Sequence, residues 1–277
     1  MEYENQYLNV ESKYDCLLFD LDDTLYPLSS GLAAACRKNI EDYMLEKLGI
    51  EESKISELNA HLYKAYGTTM AGLRAIGYNF DYDDYHSIVH GRLPYQNLKH
   101  DHVLRGLLLN LPYRKVLFTN GDRIHAAKSL KRLGLEDCFE TIICFETLNP
   151  ANSKPEKGSK IYDIVEHFSL SKPESELPKS PVVCKPYESA IEEALEIANI
   201  NPKKTMFFDD SVRNIQAGKR VGLHTVLVGT SHRVQGADFA LESIHNIREA
   251  LPELWEPTEK SEVRYSGKIA IETSVEA

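Results

Sequence analysis

The chain has 277 residues, of which 42% are hydrophobic, and a formal net charge of -10 at pH 7. This length suits one large α/β domain or a core with a smaller second lobe. The negative charge argues against a nucleic-acid partner, which needs a basic face, although a lysine and a metal ion can still attract a small anion. No apolar run reaches the ~18 residues that a transmembrane helix requires, so no membrane partner is expected.

The five cysteines show neither a CxxC pair nor a His/Cys cluster at zinc spacing. Cys16, Cys144 and Cys184 lie in apolar runs typical of buried thiols, and the odd total suits a reducing compartment. Residues 1–14 are polar and acidic and do not resemble a signal peptide. The expected location is therefore the cytoplasm, with the nucleus as an alternative.

The first predicted element is a short buried strand at Cys16–Phe19, which leads into Asp20. Beyond it, no stretch before residue 114 has the pattern of a buried strand. Apolar residues recur there at helical spacing in four segments, 31–48, 55–66, 69–76 and 83–89. They predict a helical cap, residues 26–113, inserted after the first strand.

From residue 113 onward, short apolar runs alternate with helical segments. Strands are predicted at 115–119, 141–145, 205–208 and 224–228, and helices at 123–133, 161–168, 186–198 and 212–221. Val183 and Cys184 form a further strand-like run, reached through a polar connection at 149–181. This alternation predicts an α/β fold with a doubly wound parallel sheet.

The predicted α/β core comprises residues 14–25 and 114–251. Residues 1–13 and 252–277 are predicted to be polar tails. Within the second tail, the alternation at 268–271 suits either a marginal edge strand or part of a frayed end. No internal repeat is visible in the sequence.

Four polar segments each follow a short apolar run with strand character: Asp20 to Thr24, Thr119 to Gly121, Lys185, and Asp209 with Asp210. Polar residues at the carboxyl ends of buried parallel strands meet along one edge of the sheet, where such sheets bind ligands. Taken singly, each has an ordinary explanation, because acidic pairs occur in turns and can cap helices, and strand ends are often solvated. Their combination in this order indicates phosphoryl transfer.

The acidic residues suit that chemistry. Asp20, at a strand end, can attack phosphorus and carry an aspartyl-phosphate, while Asp22 can protonate the leaving oxygen and then activate water. Because close carboxylates repel, the site needs a cation, and hard oxygen ligands suit Mg²⁺, the expected cofactor. Asp209 and Asp210, at the end of another predicted strand, supply that cation site.

Other strand-end groups complete the predicted site. Lys185 offsets the dense negative charge. Thr119, with the backbone N–H groups of Asn120 and Gly121, can hold the phosphoryl oxygens.

The order of these motifs, DxDxT, a strand-end Thr, Lys and paired acids, resembles that of haloacid dehalogenase-superfamily phosphatases. The resemblance implies that Asp20 is the nucleophile and Asp22 the acid/base, whose backbone carbonyl also binds Mg²⁺. It further implies that the metal ligands are Asp20, Asp22, Asp209 and Asp210. In that set Asp210 ligates the metal directly and Asp209 does so directly or through water, while Asn214 buttresses the loop. Asp22 favours phosphate chemistry, because true dehalogenases lack the second acid.

A closer resemblance lies in the inserted segment. The stretches LYKAYG (62–67), HGRLPY (90–95), LRGLL (104–108) and KPY (185–187) are similar to those of the pyrimidine 5′-nucleotidases of fungi and plants. This resemblance implies a helical cap over the site and nucleoside monophosphates as substrates. The connection at 149–181 is longer than in the fungal members.

The cap supplies the candidates for substrate contact, which are Tyr63, Tyr66, Arg74, His90 and Arg92. A base can stack on Tyr, and Arg can pair with a phosphate or carbonyl oxygen. Tyr63 and Arg92 are the predicted substrate-binding pair, although Tyr63 and Tyr66 at helical spacing are more typical of core positions. Tyr26 and Ser29 lie in the predicted hinge, which would let the cap close.

These observations predict a Mg²⁺-dependent phosphomonoesterase, a monomer or homodimer, whose partner is a small phosphorylated metabolite. A pyrimidine nucleoside monophosphate is the first expectation. The alternatives are a phosphatase for a sugar or vitamin phosphate, a mutase, and, in a different class, a regulatory protein with this fold and little turnover.

Overall fold

The computed structural model describes residues 12–150, 161–169 and 176–255. Within these ranges six parallel strands form one sheet in the order β3-β2-β1-β4-β5-β6, with apolar clusters and helices on both faces. The strands are β1 (Cys16–Phe19), β2 (Arg114–Phe118), β3 (Thr141–Ile143), β4 (Thr205–Asp209), β5 (His224–Val228) and β6 (Phe239–Leu241). This arrangement confirms the predicted doubly wound parallel α/β fold.

The helices in the described ranges are α1 (Leu32–Glu46), α2 (Glu52–Tyr66), α3 (Thr69–Ala75), α4 (Tyr82–Val89), α5 (His102–Leu109), α6 (Arg123–Leu133), α7 (Phe145–Leu148), α8 (Ile164–Ser169), α9 (Glu188–Ile197), α10 (Val212–Val221) and α11 (Ile247–Ala250). Local signals set their limits. The Asp122 carboxylate accepts from the N–H groups of Ile124 and His125 where α6 begins, and Gly134 ends this helix at φ 72°. No helix in these ranges is long and apolar enough to cross a membrane.

Alternate residues of β1 point to opposite faces of the sheet, as strand geometry requires. Leu17 and Phe19 belong to one apolar cluster with residues of α5 and α6, whereas Cys16 and Leu18 belong to another with α9 and α10. Trp255, the single tryptophan of the chain, packs against the first cluster. Because both faces are covered, β1 reads as a continuous apolar run.

Helices α1 to α4 share a third apolar cluster, which also includes Ile164 of α8. The polar connection that carries α8 therefore packs on these helices. The Tyr162 N–H donates to the Ile76 carbonyl at 2.9 Å, and the Tyr66 hydroxyl donates to the Pro178 carbonyl at 2.9 Å. We call α1 to α4 the cap helices.

Helix α5 packs differently from the cap helices. Its buried residues Leu104 and Leu108 belong to the cluster around β1. The division into a core, 14–25 and 114–251, and a cap, 26–113, stays a prediction. This packing favours a cap that ends before α5, because the apolar face of α5 is covered by the sheet rather than by the cap helices.

The strand expected at Val183 and Cys184 is wrong. The Asn149 side chain lies beside this segment, accepting from the Val183 N–H at 2.9 Å and donating to the Val183 carbonyl at 3.0 Å. One side-chain amide thus takes the place of a neighbouring strand. Lys185 consequently enters the site from a loop rather than from a strand end.

Smaller differences concern the ends of elements. Phe145 begins α7 instead of closing β3, and α9 begins at Glu188 rather than at Pro186. Strand β6 has no counterpart among the predicted strands, since its three residues are too few to show alternation. The segment 268–271 and most of both predicted tails lie outside the described residues.

Candidate active site

Three strand-end residues lie side by side at the carboxyl edge of the sheet. Asp20 follows β1, Thr119 follows β2 and Asp209 ends β4, and β1 lies between the other two strands. All three residues are buried. The Asp20 N–H donates to the Phe208 carbonyl at 2.8 Å, which extends the strand pairing into the site. The sequence prediction of a shared sheet edge is met at these positions.

Lys185 lies between two of these carboxylates. Its Nζ donates to Asp20 Oδ1 at 2.7 Å, to Asp209 Oδ2 at 2.8 Å and to the Phe118 carbonyl at 2.8 Å. An ammonium has three hydrogens, so its donor capacity is fully used. Burial opposes its charge, but the attraction of the two carboxylates outweighs burial and raises the pKa of Lys185 above its usual value. The ammonium is therefore charged and fixed in place.

The Asn120 side chain holds the backbone of Lys185. Its Nδ2 donates to the Lys185 carbonyl at 3.0 Å, and its Oδ1 accepts from the Lys185 N–H at 2.9 Å. The Gly121 N–H donates to Thr119 Oγ1 at 2.9 Å. Here the Asn120 side chain and the Gly121 N–H order the loops of the site. The role of Thr119, Asn120 and Gly121 in holding phosphoryl oxygens stays a prediction.

The acidic residues form a compact cluster. Asp20, Asp209 and Asp210 place carboxylate oxygens within 4.8 Å of one another. Besides the lysine ammonium, Asp209 accepts from the Ser211 N–H at 2.9 Å and from Asn214 Nδ2 at 2.9 and 3.1 Å. Asp209 accepts four protein hydrogen bonds and Asp20 accepts two, so Asp20 and Asp210 have more capacity left for a cation. Asn214 contacts the acid that it was expected to support.

This cluster fits a divalent metal ion on three counts. Its ligands are hard carboxylate oxygens, the type that Mg²⁺ prefers. Burial, together with repulsion from neighbouring carboxylates, raises the pKa values of Asp20 and Asp210, and a bound cation would relieve that repulsion. Asp23, whose charge also raises the pKa of Asp210, has a buried Oδ1 with no hydrogen-bond partner among the described residues.

An imidazole holds Asp22. His125 Nε2 lies 2.7 Å from Asp22 Oδ1, and His125 Nδ1 lies 2.8 Å from the Tyr95 hydroxyl. The Tyr26 hydroxyl donates to the same Asp22 oxygen, and Thr119 Oγ1 lies 3.4 Å from the other. Burial disfavours the ionised form of Asp22, but the His125 charge and these hydrogen bonds outweigh it and lower the pKa. Burial likewise opposes the charge of His125, and Asp22 raises its pKa.

The protonation of His125 also follows from hydrogen-bond counting. The Tyr95 hydroxyl has one hydrogen and lies 3.1 Å from the His90 carbonyl, which can only accept. With that hydrogen on the carbonyl, the hydroxyl accepts from His125 Nδ1–H. The Asp22 carboxylate only accepts, which requires a second hydrogen at Nε2. Both ring nitrogens are therefore donors, and His125 is an imidazolium in this geometry.

His125 is the functional residue that the sequence analysis missed. It lies in the first turn of α6, three residues after the N-cap Asp122, which turns its ring back toward the sheet edge. A Cβ at Gly121 would lie 2.7 Å from His125 Cδ2, so the glycine makes room for the ring. The available signal was a histidine one turn into the helix that follows the strand-end Thr119.

A cavity of about 600 Å³ rises from these carboxylates between the cap helices. Two of the predicted substrate contacts, Tyr63 and His90, line it. His90 Nδ1 lies 2.5 Å from Asp122 Oδ1. Tyr63 is half exposed, and the Arg213 guanidinium lies 4.5 Å from the centre of its ring while donating to its carbonyl.

Other predicted cap contacts do not line this cavity. Arg92 lies at the surface, 3.9 Å from Glu46 Oε2, and the structure does not bring it to the site. Arg74 donates to Asn79 Oδ1 at 2.8 Å, and Tyr66 faces the polar connection. Tyr26 lines the cavity and contacts the acid/base candidate directly, whereas Ser29, the other predicted hinge residue, is exposed.

A parallel sheet with paired carboxylates and a lysine at its edge, beneath a cavity walled by helices, defines an α/β protein with an acidic site at the floor of a cavity. The chain belongs to the haloacid dehalogenase-like hydrolase family, whose pattern matches residues 14–222, more than half of the chain. This membership makes the protein a hydrolase by family.

A curated relative is Phosphate metabolism protein 8 of Saccharomyces cerevisiae, which is 26% identical over 235 residues. The match covers 82% of this chain and 64% of the yeast protein. The chain therefore spans slightly less than two thirds of the length of this relative.

Similar solved structures share the fold. The HAD-hydrolase YfnB from Bacillus subtilis, bound to magnesium, has a TM-score of 0.51 and 17% identity, and the match covers 86% of this chain and 98% of YfnB. CbbY from Rhodobacter sphaeroides, in complex with phosphate, has a TM-score of 0.53 and 15% identity, with 84% and 96% covered. A HAD phosphatase from Thermococcus onnurineus has a TM-score of 0.51 and 16% identity, with 85% and 96% covered.

Proposed function

We propose that this protein is a Mg²⁺-dependent phosphomonoesterase that acts through an aspartyl-phosphate on pyrimidine nucleoside 5′-monophosphates. The observation that carries the proposal is the Asp20 carboxylate at the base of the cavity, with Lys185 Nζ on one oxygen and Thr24 Oγ1, at 3.1 Å, on the other. Asp22 and His125 line the same cavity. A nucleophile, its counter-charge and a proton-carrying pair thus meet where a substrate would enter.

In the first step, an oxygen of Asp20 bonds to phosphorus as the ester bond to the leaving oxygen breaks. Lys185 orients the Asp20 carboxylate and offsets the charge of the phosphoryl group. Asp22 protonates the leaving oxygen. Because the pKa of Asp22 is lowered and that of His125 is raised, the proton rests on His125 and reaches the leaving oxygen through Asp22.

In the second step, Asp22 takes a proton from water as the water oxygen bonds to phosphorus. The bond between phosphorus and Asp20 breaks, which releases phosphate and restores the carboxylate. The ionised state of Asp22 favours this role as a base. The proton returns to the pair formed by Asp22 and His125, so both steps use one proton-carrying pair.

Mg²⁺, when bound, supplies positive charge that lets an anionic carboxylate approach an anionic phosphoryl group. The residues that would hold it are Asp20, Asp210 and the backbone carbonyl of Asp22. Asp209 would support the cluster through its bond to Lys185 and the hydrogen bonds of Asn214. The magnesium bound to YfnB, a protein of the same fold, supports this choice of metal.

The size of the cavity supports a substrate larger than phosphate. A volume of about 600 Å³ lies in the range of small-molecule sites and leaves room for a nucleoside beyond the phosphoryl group. The name of the yeast relative, Phosphate metabolism protein 8, and the phosphate bound to CbbY also agree with phosphate chemistry. We place this activity in the cytoplasm.

The test is phosphate release from a panel of nucleoside monophosphates, sugar phosphates and vitamin phosphates, with and without Mg²⁺. We expect Mg²⁺-dependent release that is fastest with pyrimidine monophosphates. Asp20→Asn should lower kcat by at least about 10³-fold, because the nucleophile is lost. The matched control is Asp15→Asn, an exposed aspartate one residue before β1, which should retain wild-type turnover.

Two results would count against parts of this proposal. Unchanged turnover by Asp20→Asn, with the fold intact by circular dichroism, would overturn the mechanism. Release that is slower from pyrimidine monophosphates than from sugar or vitamin phosphates would overturn the substrate class and leave the phosphomonoesterase standing.

A further inference from the structure

The cavity above the catalytic carboxylates follows one side of α1. Leu32, Cys36, Ile40 and Glu41 line it, at positions that share one side of a helix. Leu32 packs with the cluster around β1, whereas Glu41 contacts α2, so α1 leads from the sheet edge into the cap. At 1.5 Å per residue, Leu32 and Glu41 are separated by roughly 13 Å. A leaving group thus meets apolar side chains before it reaches the Glu41 carboxylate.

Glu41 belongs to a small polar cluster. The Thr69 hydroxyl donates to Asn59 Oδ1 at 2.6 Å, and Asn59 Nδ2 donates to Glu41 Oε1 at 3.3 Å. Thr69 is 4% exposed and Asn59 is 7% exposed, and all three residues line the cavity. The Glu41 carboxylate only accepts, so the Asn59 amide nitrogen faces it and the amide oxygen faces the Thr69 hydroxyl. One hydrogen on Asn59 Nδ2 and the second oxygen of Glu41 keep spare capacity.

Helix α4 adds two polar side chains to the lining of the cavity. Tyr85 is 3% exposed and His86 is 7% exposed, and both line the same cavity. Neither the Tyr85 hydroxyl nor the His86 ring makes a hydrogen bond to any residue that the structure describes. Both side chains line the cavity, so their hydrogen-bonding capacity is open to a polar molecule bound there.

We propose that this cluster is the recognition site for a nucleobase with an exocyclic amino group, cytosine among the pyrimidines, and that Glu41 determines this specificity. The inference rests on the proposed function, because it assigns the leaving group of that reaction. Ile40 and Met70, which line the cavity beside the cluster, supply apolar surface for the faces of a planar ring.

The chemistry of the base edge separates cytosine from uracil. The cytosine amino group donates to the free oxygen of Glu41, and its ring N3 accepts the remaining hydrogen of Asn59 Nδ2. Uracil has a carbonyl oxygen where cytosine has the amino group. That oxygen would face a carboxylate, with no hydrogen between them, so the same contact that selects cytosine repels uracil.

The experiment compares kcat/KM for cytidine 5′-monophosphate, uridine 5′-monophosphate and p-nitrophenyl phosphate, which lacks a base, with Mg²⁺ present. For the wild type we expect cytidine monophosphate to exceed uridine monophosphate by about tenfold or more. Glu41→Gln should lower this ratio by at least about threefold, since a glutamine amide can turn to donate to the uracil oxygen, while Asn59 Nδ2 still favours the unprotonated N3 of cytosine. Glu46→Gln, on the exposed part of α1, is the matched control and should keep the wild-type ratio.

A binding measurement keeps the test independent of the folding of the Glu41 variant. Cytidine should inhibit hydrolysis of p-nitrophenyl phosphate by the wild type at a concentration at least about fivefold lower than uridine. Equal or better turnover of uridine monophosphate, equal inhibition by the two nucleosides, or an unchanged ratio in Glu41→Gln would each overturn the inference while p-nitrophenyl phosphate turnover upholds the phosphatase. Release from none of the three substrates would overturn the proposed function as well.

Discussion

Lys185 and the carboxylates at the sheet edge form the floor of the cavity, and Tyr85 and His86 of the cap helices form part of its wall. The floor and the wall use polar residues in opposite ways. On the floor, Lys185 uses all three of its donors on protein oxygens, and both oxygens of Asp209 accept protein hydrogen bonds. On the wall, Tyr85 and His86 line the cavity, and their side chains make no hydrogen bond to the described part of the chain. Satisfied groups hold their positions before a substrate arrives, whereas unsatisfied groups are completed by the ligand.

This difference separates two kinds of consequence. Floor residues hold one another, so the loss of one leaves a buried partner uncompensated and lowers stability together with turnover. Substitution of wall residues, which have spare hydrogen-bonding capacity, should lower substrate selectivity while the fold keeps its stability. Substitutions in the two regions therefore test whether the floor and the wall differ in this way.

The largest effect is expected at the floor, from Lys185→Met. Two carboxylates would then share a buried site without their counter-charge, which should lower the free energy of unfolding by about 3–5 kcal/mol. Urea unfolding measures this loss. Lys38→Met is the control, because Lys38 pairs with Asp42 at the surface and should cost at most about 1 kcal/mol. If Lys185→Met lowered the free energy of unfolding by less than about 1 kcal/mol, the floor residues would not depend on one another for stability.

The second prediction concerns His90, which lies where floor and wall meet. Burial opposes its charge, but the hydrogen bond to Asp122 outweighs burial and raises the His90 pKa to about 9, from 6.5, while the pKa of Asp122 falls to about 2, from 3.8. His86, His125 and Cys36 also face this pair. A raised histidine pKa stabilises the fold fully below pH 6.5 and ceases to do so as the pH rises through 9.

The contribution of the Asp122 carboxylate to stability depends on pH in the opposite direction. Its lowered pKa stabilises the fold above pH 3.8 and no longer does so as the pH falls through 2. The wild type should therefore exceed His90→Gln by on the order of 2–3 kcal/mol near pH 5 to 6, and the difference should shrink as the pH passes 9. Chemical unfolding across this range provides the measurement. A difference that does not vary with pH would refute the charged pair.

The third prediction tests the close contact between Gly67, in the turn after α2, and the loop that carries Lys185 and Pro186, called here the lysine loop. A Cβ at Gly67, which has φ 85°, would lie 2.3 Å from Pro186 Cδ and 2.5 Å from the Lys185 carbonyl oxygen. Gly67→Ala should lower the free energy of unfolding by about 1–3 kcal/mol and reduce turnover, because the lysine loop must move. Gly106→Ala is the matched control, since its Cβ meets nothing within 4 Å in a helix, and it should stabilise by up to about 1 kcal/mol. Equal effects of the two substitutions on stability would contradict a close contact between Gly67 and the lysine loop.

The smallest effect on stability is expected at the wall, from Tyr85→Phe. The lost hydroxyl has no partner to leave behind, so the free energy of unfolding should stay within about 0.5 kcal/mol of the wild type, while kcat/KM for the nucleotide falls about fivefold. Tyr43→Phe is the control in the adjacent ring. Its hydroxyl donates to Asp84 Oδ2 at 3.2 Å, so this substitution should cost about 0.5–1.5 kcal/mol. Thermal melts and nucleotide kinetics separate the two outcomes.

Much of the fold could be predicted because a parallel sheet covered on both faces needs continuous apolar strands separated by amphipathic helices. The strand-end acids were predictable for the same reason, since their order along the chain follows the order of the strands. The loop position of Lys185 was not, because it depends on the Asn149 side chain pairing with Val183, a contact between distant residues that leaves no local pattern.

The cap was harder to interpret than the sheet. Helical spacing predicts that α1 to α4 exist, but it does not tell which side of each helix faces a cavity and which faces a neighbouring helix. Arg92 was therefore selected by residue type, although it lies at the surface, while Glu41 and Asn59 gave no signal. His125 was missed because its role depends on how closely its ring approaches Gly121 in three dimensions.

The position of Trp255 has an optical consequence. As the single tryptophan of the chain, it packs against the cluster around β1, whereas the cap helices contain tyrosines but no tryptophan. Tryptophan emission will therefore respond to unfolding of the sheet and not to unfolding of the cap helices. If unfolding curves from this emission and from helical circular dichroism coincide, sheet and cap melt as one cooperative unit, and if they diverge, the cap loosens on its own.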